Sequence, residues 1–271
     1  MLILFAASVA AGAINAVAGG GTLLTFPALL AAGALSKIAN ATSTTALWPG
    51  QASSLWGLRR EVREALRGRG AGVAQLLLIG VLGGGIGTWL FLHTTEKAFS
   101  RIVPFLILLS VVLFLVQEPL SRYRAERKKN NRNVLPDAPP APNHKPEDSL
   151  TLTIPVAAFL LGIAVYGGYF GAGIGILTLA ALGMVGMRDI HRMNGVKAVF
   201  TLGVNGVAAV GFTASSLVDW RVAGIMAAGS LFGGYAGADI ARRLGQKTVR
   251  AVVVVTGVTL AAKLFWDMYS A

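Results

Sequence analysis

Three consecutive glycines, Gly19, Gly20 and Gly21, cut an apolar run near the start of the chain into two pieces, Leu2–Val17 and Thr22–Gly33. Neither piece reaches the roughly 20 residues that a helix needs to cross a bilayer. Two short helices joined by glycines predict a hairpin whose tip lies inside the membrane. Backbone outside a regular helix is tolerated at that depth only within protein or beside a water-filled cavity. Pro27 predicts an irregular second arm. From Asn15 to Thr45 the only ionisable side chain is Lys37, and the stretch ends in a polar cluster of Asn40, Thr42, Ser43, Thr44 and Thr45.

The stretch has an echo. Shifted by about 154 positions, AGGG at 18–21 falls on AGIG at 172–175, Leu23 on Leu177, Asn40 on Asn194 and Gly57 on Gly211, while Ser43 falls on Lys197. At a slightly smaller shift, GVLGGG at 80–85 aligns with GSLFGG at 229–234. The order and spacing of these matches predict a duplicated half.

Hydrophobic residues make up 54% of the chain and charged ones 13%, a balance far from that of a soluble domain. Apolar runs recur from end to end and predict an all-α polytopic membrane protein. The first run lacks the basic flank of a signal peptide and is kept as structure. With no cysteine, disulfides, thiolate chemistry and Cys-ligated metals are excluded. The net charge of +12 is expected to set topology and to face anionic lipid, not to bind nucleic acid.

Beyond the first hairpin, Ala39–Leu58 predicts a span bent at Pro49-Gly50. Gly70–Leu92 and Ile102–Gln117 complete a first membrane unit, residues 1–117. Residues 118–150, the one long hydrophilic stretch, run from a basic segment into a proline-rich one and predict a cytoplasmic linker. The second unit, 151–271, repeats the plan: Thr151–Gly167 and Ile174–Met187 flank the glycine-rich Tyr166–Gly175, and spans follow at Met193–Phe212, Leu217–Ile240 and Thr248–Tyr269. Gly80, Gly84, Gly83 and Gly87 in one span, and Gly229, Gly233 and Gly237 in another, carry the four-residue spacing of close helix packing.

Placing Arg59–Arg69 in the cytoplasm puts the linker, Arg188–Arg192 and Arg242–Arg250 on the same side, and with them eighteen of the 24 Lys and Arg residues. Both termini are then outside. Each half crosses the membrane an odd number of times, so the halves are expected to be inverted repeats, each a glycine-tipped hairpin plus three transmembrane helices. Inverted repeats with broken helices hold substrate at their interface in secondary transporters.

The run NxxAGGGTLLTFPALLxxG, then ANAT, a second glycine-rich motif and the linker resemble the sulfite exporter TauE/SafE family of membrane permeases over nearly the whole chain. The second motif departs from the family pattern: Ile174 interrupts its glycines and Ala181 stands where a proline is usual. The resemblance implies a multi-pass protein of the cytoplasmic (inner) membrane that moves sulfur-containing anions such as sulfite, sulfonates or sulfoacetate, often outward.

The residues themselves suggest where an anion sits. Unpaired N–H groups at helix N-termini bind anions, and the second arms of both hairpins begin at glycine motifs. The candidate substrate-binding set is Asn15, Gly19, Gly20, Gly21 and Thr22 at the first tip, with Gly171, Gly173 and Gly175 at the second. Asn40, Thr42, Ser43, Thr44 and Gln51 join it from one following span, and Asn194, Lys197, Thr201 and Asn205 from the other. The plainer account of the glycines is tight packing, and of the Ser and Thr hydroxyls bonding to helix carbonyls. Asn194, Lys197, Thr201 and Asn205 approximate helical spacing and share a face. Lys197 is an intramembrane cation, which is a functional feature by default; snorkelling to the surface is its plainer account. Lys263 is expected to snorkel. No carboxylate lies in mid-span, and Asp189, His191, Arg192 and Asp239 fall in loops or at membrane edges. No catalytic set, metal-ligand spacing or phosphate loop is present, so the chain is read as a non-enzyme without cofactor or metal. A secondary transporter for small anions is expected, with an anion channel or an uptake permease for another small anion as the alternative. Its partners are the anion and the lipid bilayer, and a homo-oligomer is compatible with the composition.

Overall fold

A computed structural model of the chain describes all residues except 18, 58, 60–61, 64–69, 114, 116–151, 186, 188–189, 245 and 271; the side chains of 16–17, 57, 190–191, 236–250, 252–253, 268 and 270 also lie outside the description. The 118–150 linker and Asp189 therefore fall outside the described residues, as do the side chains of His191 and Asp239. Every regular element among the described residues is helical.

The first half comprises α1 (Leu2–Val17), α2 (Thr22–Ala31), α3 (Ser36–Gly57), α4 (Gly70–His93) and α5 (96–113). The second comprises α6 (Ile154–Tyr169), α7 (Ile174–Met184), α8 (Ile190–Ala214), α9 (Trp220–Leu244) and α10 (Gln246–Ser270). At about 1.5 Å per residue, the 10-residue α2 and 11-residue α7 cover about half of the roughly 30 Å hydrocarbon core. Both short arms begin where glycines break the apolar runs. Pro27 and Pro49 lie inside helices, and α3 and α8 start a turn earlier than their hydropathy indicates. Gly70–His93 and Arg192–Ala214 are long and apolar enough to cross a membrane. Leu78, Leu82, Ile86 and Trp89 on α4 and Phe232 and Tyr235 on α9 face outward, as lipid-facing side chains do.

The helices pack across the halves. A Cβ on Gly229 of α9 would meet Phe5 and Ser8 of α1, and one on Gly233 would meet Val9. Gly83 and Gly87 of α4 lie in the same way against Leu161 and Val165 of α6. The four-residue glycine spacing thus brings backbones together on both sides. Along α3 and α9, contacts also advance together: the Asp219 N–H donates to Thr42 Oγ1 at 3.0 Å, Ser230 Oγ to the Ala46 carbonyl at 2.6 Å and Ser54 Oγ to the Gly234 carbonyl at 3.3 Å. Gly80 and Gly84 rise likewise along Phe200 and Val204 of α8. The helices α1, α3 and α9 therefore run parallel as one trio and α4, α6 and α8 as another.

The trios point in opposite directions, because the start of α3 sits at the end of α4. Lys37 Nζ donates to the carbonyls of Leu92 (3.3 Å) and Thr94 (2.6 Å), serving the free acceptors of that helix end. Glu96 in turn accepts from the Ser36 and Lys37 N–H groups at 2.7 and 3.1 Å. Beside this junction, Phe91, Phe99, Tyr169 and Phe212 form a ring cluster, with the Phe91 centroid 4.8 Å from that of Phe212 and 4.9 Å from that of Phe99. At the centre, α3 meets α8. Trp48 Nε1 donates to the Leu202 carbonyl at 3.2 Å and Asn205 Nδ2 to Gln51 Oε1 at 3.1 Å, and both pairs join residues 154 positions apart.

Candidate functional site

The two glycine-broken tips touch. Gly19 has φ +80°, a conformation that L side chains avoid, and a Cβ there would lie 2.7 Å from the Gly175 Cα. Gly171 and Gly173 both have φ +78°. Only chains without Cβ atoms at these points let the tips approach so closely.

A small cavity of about 20 Å³, room for one or two water molecules, lies where they meet. Asn15, Gly19 and Thr22 line it from the first tip, Gly171, Ile174 and Gly175 from the second, Gln51 from α3, and Lys197, Thr201 and Asn205 from α8. The first turns of α2 and α7 therefore both border it, with the positive ends of their dipoles. At the first tip, the Gly21 N–H donates to Asn15 Oδ1 at 2.8 Å, so one N–H is already satisfied. At the second, the N–H groups of Ile174 and Gly175 have no intrahelical partner by position.

Lys197 is the charged member. It lies about two turns inside α8 and is 2% exposed. Its Nζ is buried and has no hydrogen-bond partner among the described residues. A snorkelling lysine would keep its head in water; this one does not. An isolated buried ammonium costs several kcal/mol, which an anion placed against it would offset. Asn205 Oδ1 is buried and likewise without a partner, while its Nδ2 bonds Gln51. Two primary amides that share one N–H···O bond leave one carbonyl and one NH₂ over, whichever way round each is set. Thr201 Oγ1 donates back to the Lys197 carbonyl at 2.9 Å, so its hydroxyl proton is engaged by the helix.

The remaining candidates lie off the cavity. Ser43 Oγ is 2.6 Å from Thr25 Oγ1 and ties α3 to α2. Thr42 accepts from the start of α9. Asn40 Nδ2 donates to the Tyr169 carbonyl at 3.2 Å, while Asn40 Oδ1 and Asn194 Oδ1 are buried without partners. Thr44 is buried in α3. Gly20 and Gly173 carry carbonyls that accept the first bonds of α2 and α7. Sequence reasoning missed Ile174, whose side chain packs against Gly167 and fills part of the cavity wall. It also missed Tyr166, which braces the second tip: its hydroxyl donates to the Ala172 carbonyl at 2.7 Å and lies 2.7 Å from Ser110 Oγ. Tyr166 and Tyr169, two phenols in an otherwise apolar arm, were the available signal, since a buried phenol needs a partner. Among the described residues, no group of three or more His, Asp or Glu side chains could hold a metal.

The family model described as sulfite exporter TauE/SafE matches residues 4–264. A probable membrane transporter protein of Haemophilus influenzae is 29% identical over 98% of this chain and 95% of its own length. The probable membrane transporter protein YfcA of Escherichia coli K12 is 25% identical over 98% and 90%. The probable membrane transporter protein ORF9 of a Sinorhizobium species is 24% identical over 98% and 93%. No solved structure matches at a comparable level.

Proposed function

The chain belongs to the sulfite exporter TauE/SafE family, and from that premise we propose that it is a secondary transporter of small sulfur-containing anions such as sulfite or organosulfonates. It works in the cytoplasmic (inner) membrane, in the direction of export, with both termini outside and residues 118–150 as a cytoplasmic linker. The observation that carries this reading is the buried ammonium of Lys197, without a hydrogen-bond partner among the described residues, beside the cavity where the hairpin tips meet. Lys197 supplies the countercharge, the first turn of α7 supplies N–H donors, and the Gln51–Asn205 amides orient the anion.

Residues 1–117 and 151–271 act as inverted repeats that alternate access about the cavity. Two antiparallel trios and paired contacts between positions 154 apart support that arrangement. So does the burial of Lys197 Nζ, which suits an occluded site better than an open pore. An inside-negative potential drives a monoanion outward by roughly 2.3 kcal/mol per 100 mV.

Flux of labelled sulfite in proteoliposomes at set potentials tests the proposal. Saturable, potential-dependent flux is expected. Unsaturable flux at channel rates would replace the transporter with a channel, and saturable flux of an organosulfonate without sulfite would move the assignment within the class.

A further inference from the structure

The C-terminal end of α3 carries a second recess, which shares no lining residue with the cavity between the tips. Ala52, Leu55 and Trp56 recur at helical spacing, and Arg59, Val62 and Arg63 extend the same stripe. These six residues line a shallow, open recess of about 360 Å³. Trp56 is 68% exposed, and the Arg59 guanidinium stands 5.9 Å from its ring centroid, within cation–π range. The lining combines aliphatic side chains, Ala52, Leu55 and Val62, with two arginines, Arg59 and Arg63. Tryptophan beside basic residues at the end of a membrane helix marks the boundary between hydrocarbon and headgroups.

The complement of this surface is a molecule that joins an apolar chain to an anion. A free anion would leave the aliphatic side chains uncovered, and a zwitterionic headgroup would bring its own cation toward the arginines. We propose that the recess binds an anionic phospholipid, with the phosphate against Arg59 and Arg63 and an acyl chain along Ala52, Leu55 and Val62. Arginine matches phosphate in a two-pronged geometry that an ammonium lacks. The recess starts one residue beyond Gln51, so the lipid is held on the same helix that lines the anion cavity.

Contact quenching by brominated lipids in nanodiscs tests this without any transport assay, so its outcome is independent of the function proposed above. The Trp56 signal is taken as wild type minus Trp56→Phe. Brominated phosphatidylglycerol is expected to quench it at least about fivefold more effectively, mole for mole, than brominated phosphatidylcholine, the gain one arginine supplies at an anionic surface. The preference should vanish in Arg59→Gln/Arg63→Gln. Equal quenching by the two lipids in the wild type would overturn the proposal, whatever the variant's folding. So would a preference that survives the double substitution. Relief of quenching by inorganic phosphate would assign the arginines to a free anion and overturn the lipid assignment.

Discussion

The two hairpin tips meet at one cavity yet are held there by different means. The first is capped from within its own hairpin, where Asn15 Oδ1 takes the Gly21 N–H. The second is held at a carbonyl, that of Ala172, which accepts from Tyr166 of its own first arm at 2.7 Å and from Ser110 of α5, outside the hairpin, at 3.1 Å. The charge is divided as unequally. Lys197 in α8 lines the cavity, while Ser43, its counterpart 154 positions earlier, points to Thr25 and does not. The lesson is that similar glycine packing in the two halves does not make the cavity lining alike: the buried lysine comes from the second half only.

The sharpest way to break this contrast is to remove the charge. Lys197→Ala should weaken anion binding by about 2–5 kcal/mol, the cost of truncating one partner of a buried charge pair, while thermal unfolding in detergent stays cooperative. Ser43→Ala should leave anion affinity unchanged. Moving the cation, with Lys197→Ser and Ser43→Lys together, should not restore binding, because position 43 lies off the cavity. Unchanged affinity in a folded Lys197→Ala protein would remove the lysine from the site.

The next effect concerns the contact between the tips. Gly19→Ala would combine a positive φ with a Cβ 2.7 Å from Gly175. Overpacking of this kind costs about 1–3 kcal/mol, and the strained φ adds about 1–2 kcal/mol. Lower thermal stability and lost flux are expected together; a fully active, stable Gly19→Ala protein would mean that the tips separate freely.

The smallest effects separate the two braces. Asn15→Ala and Tyr166→Phe should each cost about 1 kcal/mol in stability, the net worth of a typical hydrogen bond. Asn15→Ala releases the Gly21 N–H beside the cavity, so it should alter anion affinity as well. Tyr166→Phe, whose hydroxyl lies behind the tip, should change stability alone. Equal shifts in affinity would erase the distinction between a tip capped at an N–H by a cavity-lining side chain and one held at a carbonyl by a side chain that does not line the cavity.

Much of this was legible in the chain. The helical class follows from apolar runs in a chain where 13% of residues are charged, since only helices or closed barrels satisfy backbone groups in lipid. The glycine breaks gave both hairpins because the apolar runs beside them are too short to span, whereas Gly83–Gly85 lie inside the unbroken α4 and serve packing. Lys197 stood out as a lysine inside an apolar span. Less legible was which polar residues meet. Asn194 and Thr42 looked as eligible as Asn205 and Gln51, because helical spacing names a face without saying what that face packs against.

What the sequence by itself determined is a set of local matters: where helices begin and break, how long they are, and which residues are too polar for lipid. Local chemistry decides these, since propensity, hydropathy and backbone sterics act within a few residues. The tertiary structure alone decided that α1 pairs with α9 and α4 with α6, that Gly19 lies on Gly175, and that Lys197 is buried without a hydrogen-bond partner among the described residues while Ser43 finds Thr25. Those outcomes depend on groups some eighty or more residues apart, or on two neighbouring helices settling into contact. Close packing of backbones through glycine, which no single helix can specify, selects among them.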